Sequence, residues 1–339
     1  MVDIGLVYDL RLPFADPQAR ARQYRTMLEQ SAWADRHRFS RIAVREHHGM
    51  DDGYLPSPLV AAGGVAAVTS TVTILLQALV VTLHDPVRLA EDLAVLDLMS
   101  AGRLVVVAAA GYSDDEFAMF GVASADRPRL VERAVQVIRQ AWTGEVFQLD
   151  GRRVRVTPRP YRSPGPPLLL GGASEAAARR AARIADGFLP VRNRHFGAYQ
   201  EAVAALGRAT PGPLPPAGPP FVHVAEDPER AWSRIAPYCL HESNAYGALA
   251  RQSGVLTGYA EHATTDSLRA SGAYPVVTPD EAVALCEQLG PAGQLTIPPL
   301  AGGMDPDLSW ESLELIADRV LPRVALTQVD VDSYRHSPP

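Results

Sequence analysis

Short runs dense in Val, Ile and Leu alternate along the chain with longer stretches in which apolar residues return every three or four positions. The first pattern fits strands covered on both faces and the second fits amphipathic helices, so their alternation predicts repeated βα units around a parallel sheet. Strands are predicted at about 3–8, 41–47, 72–80, 104–110, 167–171, 187–190, 220–224 and 294–298. Helices are predicted at about 22–37, 57–68, 87–99, 127–142, 174–185, 195–206, 227–237 and 309–320. Eight such pairs predict an α/β protein closed as a (β/α)8 TIM barrel.

Four stretches depart from this rhythm. Residues 145–156 read as a peripheral hairpin, with Asp150-Gly151 as its two-residue turn. Residues 210–216, Thr-Pro-Gly-Pro-Leu-Pro-Pro, suit neither helix nor strand and read as a connector. Residues 238–278 exceed a simple crossover and are expected to form an insertion over the barrel mouth. A polar tail, 327–339, is expected to be loose, leaving 1–326 as a single barrel. The uncharged stretch Leu59–Leu83 is long enough to span a bilayer, but Gly63-Gly64 and Thr69-Ser70-Thr71 divide it into a buried helix, a turn and a buried strand.

Composition narrows the function. With 47% apolar and 21% charged residues the chain can bury a large core. A net charge of −6 argues against a basic phosphodiester grip, so no nucleic-acid partner is expected. Cys239 and Cys286 form no CxxC pair or disulfide framework, and no basic, apolar leader precedes the first strand; a cytoplasmic protein with no membrane attachment is expected.

In a barrel of this kind the working residues follow the C-terminal strand ends. After the second predicted strand stands Glu46-His47-His48-Gly49. Alternation turns neighbours to opposite faces, so one histidine is favoured over a triad unless the strand breaks there. A hydrogen-bonded loop histidine is the competing reading, and position alone leaves both open. No HxH or HExxH pair supports a metal site. After the fourth strand, Gly111 precedes Tyr112 and permits close approach of a ligand. After the fifth, Gly171-Gly172-Ala173-Ser174 enters a helix, offering N–H groups and a helix dipole to a phosphate. Ser174 as a plain N-cap explains the same residues, and the two roles can coexist.

Taken together, several runs resemble the luciferase-like flavin monooxygenases: Glu46-His47-His48, Ser57-Pro58-Leu59-Val60-Ala61-Ala62, His84-Asp85-Pro86-Val87-Arg88, Ser100-Ala101-Gly102-Arg103 and Phe120-Gly121. The match is continuous over about residues 1–190 and looser beyond, where Gly171-Gly172 and Ala185-Asp186-Gly187 recur. The resemblance implies a (β/α)8 barrel with reduced flavin at the strand C-termini. It implies His47 as the catalytic residue and a non-proline cis peptide at Gln77-Ala78 beneath the flavin ring. One departure stands out: where luciferases carry an arginine toward the flavin phosphate, this chain has Ala110. Phosphate binding would then fall to backbone N–H groups near Gly111, Tyr112 and Gly172 to Ser174.

The activity so implied is oxygenation of a small organic substrate by O2 and reduced FMN (FMNH2), supplied by a separate flavin reductase, in a protein expected to be a homodimer. The flavin carries the hard chemistry. The absence of GxGxxG after the first strand fits the lack of a tightly held nicotinamide. Hydride transfer with the deazaflavin F420 on the same fold is the alternative, and a non-catalytic flavin-binding protein the second.

Overall fold

Five helices open where a side chain that accepts backbone N–H groups stands directly before a proline: Asp16-Pro17, Asp85-Pro86, Asp227-Pro228, Thr278-Pro279 and Asp305-Pro306. The proline has no N–H to leave unsatisfied in the first turn and its φ is already helical, while the cap satisfies a neighbour. The computed structural model describes residues 1–13, 15–255, 258–327 and 329–336. In chain order the elements begin β1 (Asp3–Tyr8), α1 (Pro17–Arg36), β2 (Arg41–Val44), α2 (Pro58–Val68), β3 (Thr73–Val80), α3 (Pro86–Met99) and β4 (Leu104–Ala109). They continue α4 (Asp114–Met119), α5 (Arg127–Trp142), β5 (Phe147–Leu149), β6 (Arg152–Val154), β7 (Leu168–Gly172), α6 (Glu175–Ile184), β8 (Gly187–Pro190) and α7 (Phe196–Ala205). Last come β9 (His223–Val224), α8 (Pro228–Ser253), α9 (Thr265–Ala270), β10 (Val276–Val277), α10 (Pro279–Leu289), β11 (Gln294–Ile297) and α11 (Pro306–Leu315).

The chain divides into two compact units. The first comprises 1–43, 47–56 and 215–329. In it β1 and β11 pair in parallel, Asp3 opposite Gln294 through Leu6 opposite Ile297, and every β1 residue is buried. The strand expected at 220–224 shrinks to the two residues of β9, which pairs with β10 in a ladder of its own. Pro219 and Pro220 have no N–H to give to a ladder, which shortens the strand from its start. Among the described residues the parallel α/β pattern therefore lacks the eighth strand that a closed (β/α)8 barrel requires.

The helix expected to stop at 237 runs on to Ser253. Pro237 lies on its exposed side, and the buried stripe Trp232, Ile235, Cys239, Glu242, Tyr246, Leu249 carries the helix past it. Much of the expected 238–278 insertion is therefore α8 and α9, packed around Trp232, Ile235, Leu268 and Tyr274; its residues 256–257 lie outside the described residues.

The second unit comprises 44–46, 57–214 and 330–339. Here β3, β4, β7 and β8 are successive parallel neighbours. Leu59–Leu83 is α2 followed by β3, and no described helix is long and apolar enough to cross a membrane. The expected hairpin is β5–β6, with Asp150 and Gly151 both at positive φ. Arg103, in the run most characteristic of the family resemblance, works structurally: its guanidinium donates to the carbonyls of Ala66, Thr69, Val72 and Ser100 and to the Thr69 hydroxyl, closing the ends of α2 and α3. The end of the chain is docked rather than loose where it is described. Arg335 pairs with buried Asp186 at 2.6 Å, and the His336 ring stands edge-on to Phe196, 5.8 Å away. Residues 328 and 337–339 of the expected tail lie outside the described residues.

Candidate active site

In the second unit the C-terminal ends of four neighbouring strands open to the surface together. Within β3 only Gln77 and Ala78 are not fully buried. Ala109 to Tyr112 after β4, Gly171 and Gly172 of β7, and Leu189 and Pro190 of β8 are likewise half-buried, and Ala173 and Ser174 are exposed. Gln77-Ala78 is a cis peptide, and the β3–β4 register skips a residue between Gln77 and Leu79. Gly111 has φ +73°, and a Cβ there would lie 2.9 Å from Val80 Cγ1 and 3.1 Å from the Phe117 ring, so no other residue fits this turn. The structure thus brings Gln77, Ala78, Gly111, Tyr112, Gly171, Gly172, Ala173 and Ser174 to one end of one set of strands.

Ser174 caps α6, its hydroxyl accepting from Ala177 N at 3.2 Å. One of the orphan N–H groups of the first turn is used in this way, and the others remain for solvent or an anion. Gly172 is also a packing residue: a Cβ there would meet Ala177 Cβ at 2.5 Å. Glu46 also serves this end of β3. Its fully buried carboxylate accepts from Val80 N at 2.5 Å and from His84 Nε2 at 3.4 Å. Sequence reasoning set Glu46 aside in favour of the histidines, because the partner that defines it is a backbone N–H.

β2 stops at Val44, so the strand breaks before Glu46-His47-His48, as sharing among them would require, and His47 and His48 belong to the first unit. His47 and His48 are both buried, at 7% and 8% exposure. The His47 ring meets Tyr54 edge to face, centroids 4.8 Å apart at 88°. Tyr54 belongs to a cluster that sequence reasoning missed. The Arg11 guanidinium lies 4.5 Å from the Tyr54 ring and 4.4 Å from the Tyr246 ring, two faces each worth up to about 2 kcal/mol when desolvated. Arg11 pairs with Asp9 at 3.3 Å and Asp52 at 2.5 Å. The Tyr54 and Tyr246 hydroxyls are 2.8 Å apart, and Tyr246 donates to Asp9 at 3.1 Å.

Burial opposes ionisation of Asp52, but the hydrogen bond from His241 at 3.0 Å and the Arg11 charge outweigh it and hold the carboxyl at about 2. Burial likewise opposes the Arg11 cation, and the facing Tyr246, Asp9 and Asp52 reverse that, leaving it firmly charged. His241 and Tyr246 both come from α8, so this helix is fastened to the segments that follow β1 and β2. A separate open cleft of about 570 Å³, lined by His223, Arg230, Arg234 and Glu311 among others, contains none of these residues. Among the described residues no group of three or more His, Cys, Asp or Glu is placed to hold a metal ion.

The family model for luciferase-like monooxygenases matches residues 7–294, and the chain belongs to that family. An uncharacterized protein of Sinorhizobium fredii is 28% identical over 171 residues, 49% of each chain. The alkanal monooxygenase beta chain of Vibrio harveyi is 26% identical over 197 residues, 53% of this chain and 60% of that one. The matches thus span about half the length of these curated relatives. Among solved structures, the monooxygenase RslO1 from Streptomyces bottropensis is similar with TM-score 0.76 and 25% identity over 95% of this chain and all of that one. The FMN complex of the oxygenating constituent of 3,6-diketocamphane monooxygenase from Pseudomonas putida has TM-score 0.72 at 20% identity, covering 96% of this chain and 99% of that one. An F420-dependent secondary alcohol dehydrogenase has TM-score 0.66 at 17% identity, covering 95% and 99%. At such identities the last two similarities speak for the fold alone.

Proposed function

We propose that this protein is a flavin-dependent monooxygenase in which reduced FMN and O2 oxygenate a small organic substrate, the second oxygen atom leaving as water. The observation that carries the reading is the shared opening of β3, β4 and β7 at Gln77-Ala78, Gly111-Tyr112 and Gly171 to Ser174, next to the N-terminus of α6. These residues suit a flavin: a platform of small, half-buried backbone for a planar ring, and helix N–H groups for a phosphate. FMN, when bound, supplies the electrons that activate O2. Gln77 and Ala78 support the ring, Gly111 and Tyr112 leave room for its side chain, and Gly171, Gly172, Ala173 and Ser174 take the phosphate. His47 moves the proton at the substrate, a role open to an imidazole side chain as general acid or base.

In this reading the protein works in the cytoplasm and receives its reduced flavin from a separate reductase. A homodimer is supported by Val60, Val68, Val95, Leu98 and Met99, apolar side chains left exposed on α2 and α3. F420 is the second reading, favoured by Ala110, which leaves the FMN phosphate without an arginine. Mass and absorbance of the small molecule that copurifies test both: FMN supports the first reading, and F420 replaces it with the second.

A further inference from the structure

We infer that Arg11, Tyr54 and Tyr246 are positioning residues for His47, so that the docking of α8 sets the orientation of the proposed proton-handling side chain. The inference rests on the role given to His47 above. Three segments distant in sequence meet at Arg11: residues 9–11 after β1, residues 52–54 after β2, and the middle of α8. Arg11 is 1% exposed, and its Nη2 is buried with no hydrogen-bond partner among the described residues. Its position is therefore fixed by the two aromatic faces and the two carboxylates, not by a full set of hydrogen bonds.

Tyr54 is the shared member. One neighbour is the Arg11 cation, another is the Tyr246 ring, edge-on at 6.0 Å and 89°, and a third is His47. The backbone holds the same arrangement: His47 N donates to Leu55 O at 3.2 Å, and Leu55 N donates to Asp9 O at 2.8 Å. Tyr246 is in turn stacked on Tyr259, 4.5 Å apart at 21°, from the segment that follows α8. Movement of α8 away from the cation removes one wall of the Tyr54 slot, and the Tyr54 ring is the wall against which His47 rests. Misplacement of a reacting group by about 1 Å can cost up to 100-fold in rate, so the docking of α8 acquires control over the reaction through these side chains.

The test is NMR of the full-length protein with isotope-labelled histidine and no cofactor, the His47 signals being identified by their loss in His47→Gln. Tyr54→Leu and Tyr246→Leu are expected to move the His47 ring signals. Tyr246→Phe keeps both ring contacts but removes the hydroxyl links to Tyr54 and Asp9, and a smaller movement is expected. Arg251→Ala, which breaks the exposed ion pair between Arg251 of α8 and Glu261 beyond its end, should leave them in place. Turnover in the leucine variants should fall about tenfold in kcat with little change in KM, and Tyr246→Phe should recover most of it. His47 signals that stay fixed in every folded Tyr54 and Tyr246 variant overturn the inference, as does an equal movement in Arg251→Ala. If the leucine variants do not fold, Tyr246→Phe alone decides it. Signals that move while His47→Ala retains full turnover uphold the positioning and refute the proton role instead.

Discussion

Gly171 and Gly172 stand side by side at the end of β7, yet the packing around them predicts opposite consequences for the same added methyl group. At Gly172 the methyl would lie 2.5 Å from Ala177 Cβ and 3.2 Å from the Phe188 ring. Carbon atoms rest about 3.5–4.0 Å apart, so α6 must shift by roughly 1 Å to admit it. Overpacking of this kind costs about 1–3 kcal/mol, or a fall in Tm of roughly 1–2 °C for each kcal/mol in a chain of 339 residues. At Gly171 the nearest atom is Val107 Cγ1 at 3.4 Å, close to ordinary contact, so Gly171→Ala should change stability by less than about 0.5 kcal/mol. Its methyl group is added to a half-buried position on the open end of the strand, where the proposed flavin would approach. A loss of about 1.4 kcal/mol in binding corresponds to roughly tenfold weaker affinity. Thermal unfolding and flavin titration of both variants separate the effects: Gly172→Ala should be the less stable and Gly171→Ala the weaker binder. A valine at this position, Gly172→Val, would confound the two effects. Undiminished stability in Gly172→Ala refutes the packing argument, and unchanged flavin affinity in Gly171→Ala refutes the placement of the cofactor there.

His47→Ala should leave the fold intact and lower product formation about 10²–10⁴-fold, with hydrogen peroxide released in place of product, measured in single turnover with pre-reduced flavin; equal product yield sinks the assignment, and a larger effect of His48→Ala transfers it to the neighbour. Burial, with a smaller opposing pull from Glu311, depresses His223 from 6.5 to about 4. The unfolded chain therefore takes up this proton first, and stability is lost as pH falls from about 6.5 to about 4, by roughly 3 kcal/mol. Urea midpoints measured across that range should lose this slope in His223→Asn, and an unchanged slope would show that His223 is not the group responsible. If the exposed Arg192, two residues beyond the Pro190 that pairs with Gly172, supplies the phosphate charge absent at Ala110, Arg192→Ala should weaken FMN binding while leaving riboflavin binding unchanged; equal weakening of both refutes that role.

Local rules carried the sequence reading furthest. Asp150-Gly151 marked its hairpin because two successive positive φ values demand such residues, whereas the cap-proline pairs went unread: no helix was expected behind Thr278-Pro279, and α1 and α11 start at Pro17 and Pro306, ahead of the expected 22 and 309. The helix expected to end at 237 continues as α8 because Pro237 lies on the solvent side and the buried stripe continues beneath it. Asp9, Arg11, Asp52 and Tyr246 gave no signal at all. They lie in three different stretches of the chain, each is common as a surface residue, and only tertiary packing makes them one cluster. Arg103 shows the reverse case, a residue whose prominence in a recognisable run invites a functional reading while its hydrogen bonds close helix ends.

The central claim is that these strand ends receive a diffusible reduced flavin. Anaerobic titration of the purified protein with FMNH2, oxidised FMN and F420, followed by fluorescence or calorimetry, tests it most directly. The account predicts that FMNH2 binds more tightly than oxidised FMN, since a protein fed by a separate reductase must capture the reduced form and release the oxidised one. Binding of F420 with no detectable binding of either FMN form would contradict it.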